Sequence, residues 1–216
     1  QQEHLQKFLP KQIITADPAP STEMGIPKII KPILQLLQIP FVTQALNISK
    51  TGASLSDIPV AIMHGADDKI VKPKLWIKPP LFKKTTNFDY IASQHKKIYF
   101  SLSNRQNHPP LVAFHNQAVT DTGYFSKDLF KNFGGVKETP NAYNCEYIYS
   151  GLRLVVEDDV RADELLPKFP LEKIKVTDKL EIKSNLLKIV IISAIVLALL
   201  SLGYWLWHSG IVLNFS

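Results

Sequence analysis

The sequence predicts an α/β protein with a parallel sheet, apolar helices beside it and a single transmembrane helix near its C-terminal end. Three observations lead to this prediction: apolar runs at 58–63 and 98–102, and an uncharged run at 189–207. Short apolar runs bounded by turn residues are typical of strands buried on both faces, as in parallel sheets. A long uncharged run is typical of a membrane span.

The first strand is expected where the apolar residues at 58–63 lead into His64 and Gly65, with Asp67 and Asp68 following at once. In an open α/β sheet the ligand crevice lies at the carboxyl ends of the strands. The two carboxylates are therefore predicted to face a functional site.

The second strand is expected at 98–102, which is rich in aromatic and β-branched residues. Aromatic residues at helical spacing within 111–135 predict a helix that packs on the sheet. Residues 147–149 and 152–156 have the composition of further strands. The acidic run at 157–159 is typical of a solvated loop rather than a metal site.

Apolar residues spaced by three and four at 26–46 predict one or two amphipathic helices, which Pro32 and Pro40 kink or divide. Two interpretations remain open. The helices cover the core, or they form a mobile apolar lid that excludes water from an active site and admits apolar substrates. The apolar positions are Ile29, Ile30, Ile33, Leu34, Leu36, Leu37 and Ile39.

As a helix, the uncharged run at 189–207 would reach roughly the ~30 Å of a bilayer core. Lysines precede the run and none follows it, so the N-terminal bulk is expected on the cytosolic side of a membrane. These lysines supply most of the net charge of +6, so an anionic membrane surface explains the charge better than nucleic acid does. They are Lys168, Lys173, Lys175, Lys179, Lys183 and Lys188.

The motif His-Gly-Ala-Asp-Asp-Lys-Ile-Val at 64–71 resembles the acid loop of the α/β-hydrolase superfamily. The resemblance implies that Asp68 is the acid of a catalytic triad. It also implies a catalytic histidine in the loop after the next strand, for which His108 is the candidate and His115 the alternative. His95 precedes that strand, which is the wrong place for the role.

The nucleophile elbow of this superfamily, Gly-x-Ser-x-Gly, is absent from residues 1–57, and Ser54 lies in a segment that lacks the second glycine. The resemblance therefore covers about residues 20–125. Because the sequence also begins without Met, it suggests an incomplete α/β-hydrolase-like domain whose serine lies before Gln1.

These observations predict a membrane-anchored serine hydrolase, esterase- or lipase-like, that acts on a small-molecule or lipid ester. Asp68 would orient His108, which would act as general base and then as general acid. No cofactor, metal ion or nucleic-acid partner is implied. The alternative is a catalytically inactive, tail-anchored interaction protein with a hydrolase-like remnant. The expected parts are a hydrolase-like portion at 1–135, an extension or juxtamembrane stalk at 136–185, the transmembrane helix at 186–207 and a tail at 208–216.

Overall fold

Four strands form one mixed sheet in this computed structural model of the protein, in the spatial order β1-β2-β3-β4. The structure describes residues 10–23, 26, 29–80, 83–108, 110–115, 141–182 and 186–209. The chain divides into two compact units, Gln1–Leu180 and Glu181–Ser216, and the sheet belongs to the first. Its strands are β1 (Ile13–Ala16), β2 (Val60–Gly65), β3 (Lys96–Leu102) and β4 (Lys175–Thr177).

Short helices connect the strands in the described part of this unit. Between β1 and β2 lie α1 (Lys31–Leu36), α2 (Pro40–Thr43), α3 (Ile48–Thr51) and a 3-10 helix at Gly52–Leu55. Between β2 and β3 lie α4 (Lys74–Ile77) and a 3-10 helix at Phe88–Tyr90. Between β3 and β4 lie a π-helix at Tyr143–Ile148, α5 (Tyr149–Val156) and 3-10 helices at Ala162–Glu164 and Leu166–Lys168.

Strand β2 lies parallel to both β1 and β3, and all of its residues are buried. Val60 and Ile62 pack in the apolar cluster on one face of the sheet, whereas Ala61 and Met63 pack in the cluster on the other. An apolar run without alternation suits a strand that is buried on both faces. The predicted strand and its parallel pairing with the strand at 98–102 are therefore confirmed.

Strand β4 runs antiparallel to β3 and pairs Thr177 with Phe100 and Lys175 with Leu102. The sheet is thus mixed, and the prediction of a parallel, α/β-hydrolase-like sheet is wrong. The physical reason lies in the segment at 136–185, which the sequence left as an extension or stalk. After its helices pack on one face of the sheet, this segment returns along the outer edge of β3 in the opposite direction.

The apolar segment at 26–46 forms α1 and α2, and Pro40 begins the second helix. Helix α1 contains no buried residue, and Ile29 and Leu36 are 84% and 83% exposed. Helix α1 therefore does not cover the core. The alternative interpretation of an apolar lid stays a prediction.

Helices stand where the sequence predicted strands at 147–149 and 152–156. Apolar side chains of this segment recur at helical spacing and pack on the sheet beside Met63. Gly151 allows the close approach, because a Cβ atom there would lie 2.8 Å from Met63 Cε. The strand prediction is wrong because aromatic and β-branched residues also suit the buried face of a helix. The packed side chains are Tyr143, Tyr147, Ile148, Leu154 and Val155.

The acidic run at 157–159 is exposed, as expected of a solvated loop. The helix predicted within 111–135 falls on residues 116–135, which lie outside the described residues.

The second unit contains the helix α6 (Leu186–His208). Among the residues that the structure describes, no helix is both long and apolar enough to cross a membrane. The predictions of a transmembrane anchor at 186–207 and of a single-pass membrane location with a cytosolic N-terminal bulk are therefore corrected.

Candidate functional site

The turn after β2 buries the carboxylate of Asp68. Its Oδ1 atom accepts hydrogen bonds from the backbone N–H groups of Ile70, at 2.8 Å, and Val71, at 2.9 Å. Asp side chains commonly accept from backbone groups just ahead of them in turns. These two bonds fix the carboxylate and leave Oδ2 for a donor from elsewhere in the chain.

His115 supplies that donor. Its Nδ1 atom lies 2.7 Å from Asp68 Oδ2, and the imidazole is 15% exposed beside the fully buried carboxylate. Because a carboxylate oxygen accepts this bond, Nδ1 carries the proton. Burial lowers the pKa of His115, but the hydrogen bond and charge of Asp68, with the charge of Asp17, outweigh it and raise the pKa above its ordinary value.

The backbone that carries His115 passes close over Gly65. A Cβ atom on Gly65 would lie 2.4 Å from the carbonyl oxygen of Ala113 and 2.6 Å from that of Phe114. The same Ala113 oxygen accepts a hydrogen bond from the N–H of Asp67 at 3.1 Å. Glycine at the end of β2 is therefore what allows the two backbones to approach and the imidazole to reach Asp68.

Asp67 links the same loop to the end of β3. Its carboxylate accepts a hydrogen bond from the hydroxyl of Ser103, and that hydroxyl oxygen accepts one from the N–H of Ala113 at 2.9 Å. Arg105 lies 3.4 Å from the same carboxylate at the surface. Asp67 therefore organises the loop, whereas Asp68 contacts the imidazole.

The structure does not pair His108 with Asp68. Two backbone hydrogen bonds between Asn104 and Leu111, of 2.8 and 2.9 Å, close a loop in which His108 is exposed. Its Nδ1 atom lies 3.0 Å from the carbonyl oxygen two residues earlier. Because the chain turns back before it approaches the end of β2, the alternative candidate His115 takes the place that the sequence assigned to His108.

Ser54 and His95, which the sequence analysis also considered, form contacts elsewhere in the unit. The hydroxyl of Ser54 donates to the carbonyl oxygen of Thr51 at 2.7 Å. Nδ1 of His95 lies 3.3 Å from a carboxylate oxygen of Asp163. Neither contact includes Asp68 or His115.

A second imidazole lies behind Asp68, and its place at the strand end is the only sequence signal that could have indicated it. His64 is fully buried, and its Nε2 atom lies 2.7 Å from the carbonyl oxygen of Val71. Nε2 is also 3.6 Å from Asp68 Oδ2, and Nδ1 is 3.6 Å from Asp17 Oδ1. Within the described part of the chain, Nδ1 has no hydrogen-bond partner.

Asp17, His64 and Asp68 lie close enough together to be considered as metal ligands. The two carboxylates, however, are nearest to different nitrogens of the one imidazole, and the lone pairs of those nitrogens diverge. Nε2 already bonds the carbonyl oxygen of Val71, and Asp68 already accepts three hydrogen bonds. The geometry therefore favours a hydrogen-bonded network over a metal centre.

Hydrogen bonds from backbone N–H groups to buried side chains hold the end of β2 in place. Asp17 Oδ1 accepts from the N–H of Gly65 at 2.9 Å. The hydroxyl of Tyr147 accepts from the N–H of His64 at 3.0 Å and donates to the carbonyl oxygen of Tyr99 at 2.5 Å. Burial, followed by the charge of Asp17, raises the pKa of Tyr147 well above its ordinary value, so the hydroxyl keeps its proton.

An apolar cavity of about 290 Å³ lies on the Val60 face of β2. Its wall includes Thr15 and Pro18, which stand on either side of Asp17 in the chain. Trp76 forms another part of the wall, and its Nε1 atom donates to the carbonyl oxygen of Pro18 at 2.9 Å. The cavity is thus built partly from the segment that carries one carboxylate of the network.

Comparisons with known proteins provide no family for this chain. No family model, no curated protein and no solved structure matches it. The predicted membership of the α/β-hydrolase superfamily, which rested on residues 64–71, is therefore corrected, and the hydrolase and lipase-like assignments lose the support of a family. The small mixed sheet of four strands agrees with this correction. The site has to be interpreted from its own geometry.

Proposed function

We propose that Asp68 and His115 form the acid–base pair of a site that hydrolyses ester bonds. The observation that carries the proposal is the 2.7 Å contact between Asp68 Oδ2 and His115 Nδ1, in the segments that follow β2 and β3. Carboxylate–imidazole pairs recur on unrelated folds, and they are recognised by geometry and role rather than by family membership.

Each member of the pair has a separate role. The carboxylate of Asp68 holds Nδ1–H and stabilises the imidazolium that forms when His115 Nε2 accepts a proton. Nε2 takes that proton from a hydroxyl or thiol as its oxygen or sulfur attacks the ester carbonyl carbon. The proton then passes to the leaving alkoxide as the C–O bond breaks, and a water molecule repeats both steps to release the acid.

The raised pKa of His115 supports this role. A general base has to be unprotonated before reaction, and a more basic nitrogen accepts the proton of a hydroxyl more readily. We therefore expect the acidic limb of the pH–rate profile to lie above pH 6.5, the ordinary pKa of the group. The charge of Asp68 keeps the pKa of His115, and with it this limb, above that value.

The attacking group has to come within about 2.6–3.2 Å of His115 Nε2. In the described ranges no Ser, Thr or Cys side chain forms a hydrogen bond with that nitrogen. The attacking residue is therefore to be identified by covalent labelling.

The substrate class is inferred from two apolar surfaces of the unit that contains the sheet. The 290 Å³ cavity beside Asp17 has a mainly aliphatic wall, and α1 exposes large aliphatic side chains. Both features support an ester with an apolar acyl or alkyl group, either a small molecule or a lipid. Burial of such a group would contribute about 25 cal/mol per Å² of apolar surface.

The test is covalent labelling of the full-length gene product with a fluorophosphonate, followed by peptide mapping of the labelled residue. His115→Ala should slow labelling by about 10²–10⁴-fold, the range that general-base catalysis contributes. Asp68→Asn should also slow it. His108→Ala is the matched control, since it removes the exposed imidazole of the neighbouring loop, and it should label at the wild-type rate. Wild-type labelling of His115→Ala would contradict the proposal.

A further inference from the structure

The pair formed by Asp68 and His115 does not use the most deeply buried imidazole of the site. The side chain of His64 is 0% exposed and stands behind Asp68 at the end of β2. Its backbone N–H donates to Tyr147, and its ring packs against Phe100 in a T-shaped arrangement with ring centroids 6.2 Å apart. A buried polar ring costs free energy unless it forms hydrogen bonds, so the short contact of Nε2 stabilises the ring in its buried position.

That contact defines the tautomer of His64. Nε2 lies 2.7 Å from the carbonyl oxygen of Val71. A carbonyl oxygen only accepts, so Nε2 carries a proton and donates it. Nδ1, 3.6 Å from Asp17 Oδ1, lies beyond hydrogen-bond distance and takes no part in the contact.

Val71 connects this hydrogen bond to the acid. Its carbonyl oxygen accepts from His64 Nε2, and its N–H donates to Asp68 Oδ1 at 2.9 Å. His64 therefore fixes, from the strand side, the residue that orients the carboxylate. Without this bond Val71 could rotate, and Asp68 Oδ2 would lose its alignment with His115.

We propose that His64 is a positioning residue that, through Val71, holds Asp68 in the orientation that pairs it with His115. This inference rests on the proposed function for its catalytic consequence. Its structural part, the effect of His64 on the pair, does not require a known substrate or nucleophile. Residues that orient a functional group from behind commonly change its performance by about 10–100-fold, as partners of metal ligands do.

The test compares two amides at position 64. The amide nitrogen of Gln takes the place of Nε2 and can donate to the oxygen of Val71, whereas that of Asn takes the place of Nδ1 and cannot reach it. The first readout is the NMR titration of His115, whose imidazole faces the charges of Asp68 and Asp17. The second is the rate of fluorophosphonate labelling.

We expect His64→Gln to keep the raised pKa of His115 and a near-wild-type labelling rate. His64→Asn should lower the pKa of His115 toward 6.5 and slow labelling about 10-fold or more. The inference is overturned if folded His64→Asn titrates like the wild type, or if folded His64→Gln behaves like His64→Asn.

A measurement on the unaltered protein covers the case in which a variant does not fold. The ¹⁵N shifts of the His64 ring report which nitrogen carries the proton, and we expect a protonated Nε2. An unprotonated Nε2 would overturn the inference. A protein that no fluorophosphonate labels would contradict the proposed function alone, since both NMR readouts would still report on His64.

Discussion

At the scale of single residues, the site depends on how Asp68 divides its oxygens. Oδ1 is held by its own turn, and Oδ2 accepts from His115 at 2.7 Å. The sequence predicted that Asp68 faces a functional site, because a carboxylate directly after a buried strand is a local pattern. It named His115 only as the alternative to His108, because the partner of Asp68 depends on the path of a loop.

The protonation of His115 makes the folding free energy depend on pH. Its pKa is raised in the folded state, so its contribution to stability is fully present below pH 6.5 and is lost as pH rises through the raised pKa. Relative to Asp68→Asn, the wild-type protein should therefore lose free energy of unfolding between pH 5.5 and 8.5. Urea unfolding at the two pH values measures the difference, and an equal pH response of the two proteins would contradict it.

The hydroxyl of Tyr147 satisfies two buried backbone groups. Tyr147→Phe would leave the N–H of His64 and the carbonyl oxygen of Tyr99 without this partner, and we expect it to cost about 1–3 kcal/mol. Tyr149→Phe is the control, since that side chain is 40% exposed in the adjacent helix. Equal free energies of unfolding for the two variants, measured in urea, would show that the hydroxyl has no such role.

At the scale of elements, the choice between the two histidines is made by the segment after β3. The composition of this segment placed both in a loop after a strand, and His108 came first in the chain. The hydrogen bonds between Asn104 and Leu111 close that first part into a separate loop. Backbone pairing of this kind has no sequence signal as strong as apolar periodicity, so the sequence could name His115 only as an alternative.

The approach of two backbones at Gly65 leads to a sharp prediction. Gly65→Ala would place a Cβ atom 2.4 Å from the oxygen of Ala113, so the loop has to move and His115 should lose its raised pKa. Overpacking of this kind commonly costs about 1–3 kcal/mol. The measurement is the NMR titration of His115 alongside urea unfolding.

A second glycine gives the matched control for this prediction. Gly52→Ala would place its Cβ atom 2.3 Å from the carbonyl oxygen of Tyr90, the last residue of another 3-10 helix in the same unit. It should destabilise the protein to a similar degree and leave the titration of His115 unchanged. If both variants altered that titration equally, the effect would be one of general destabilisation.

At the scale of the whole molecule, the sequence predicted the two central strands of the sheet more reliably than the elements around them. Strand β2 was predicted from an unbroken apolar run and β3 from its aromatic and β-branched composition, and the structure contains both. The antiparallel strand β4 was missed, since three residues at 175–177 carry too little pattern to be distinguished from a loop. The helix at Tyr149–Val156 was missed because aromatic and β-branched residues suit both a strand and the buried face of a helix.

The resemblance of residues 64–71 to the acid loop of α/β-hydrolases does not extend to the rest of the fold. The motif at 64–71 describes a local event, a strand end followed by an Asx turn, which different folds can share. The mixed sheet concerns the fold beyond this motif, and no family model matches the chain. The proposed function accordingly depends on one contact between two side chains.

That contact is tested most directly by NMR titration of the His115 imidazole in the wild-type protein and in Asp68→Asn. We expect the pKa of His115 to lie above 6.5 in the wild type and to fall when the carboxylate becomes an amide. The same His115 titration in the two proteins would show that Asp68 and His115 are not paired.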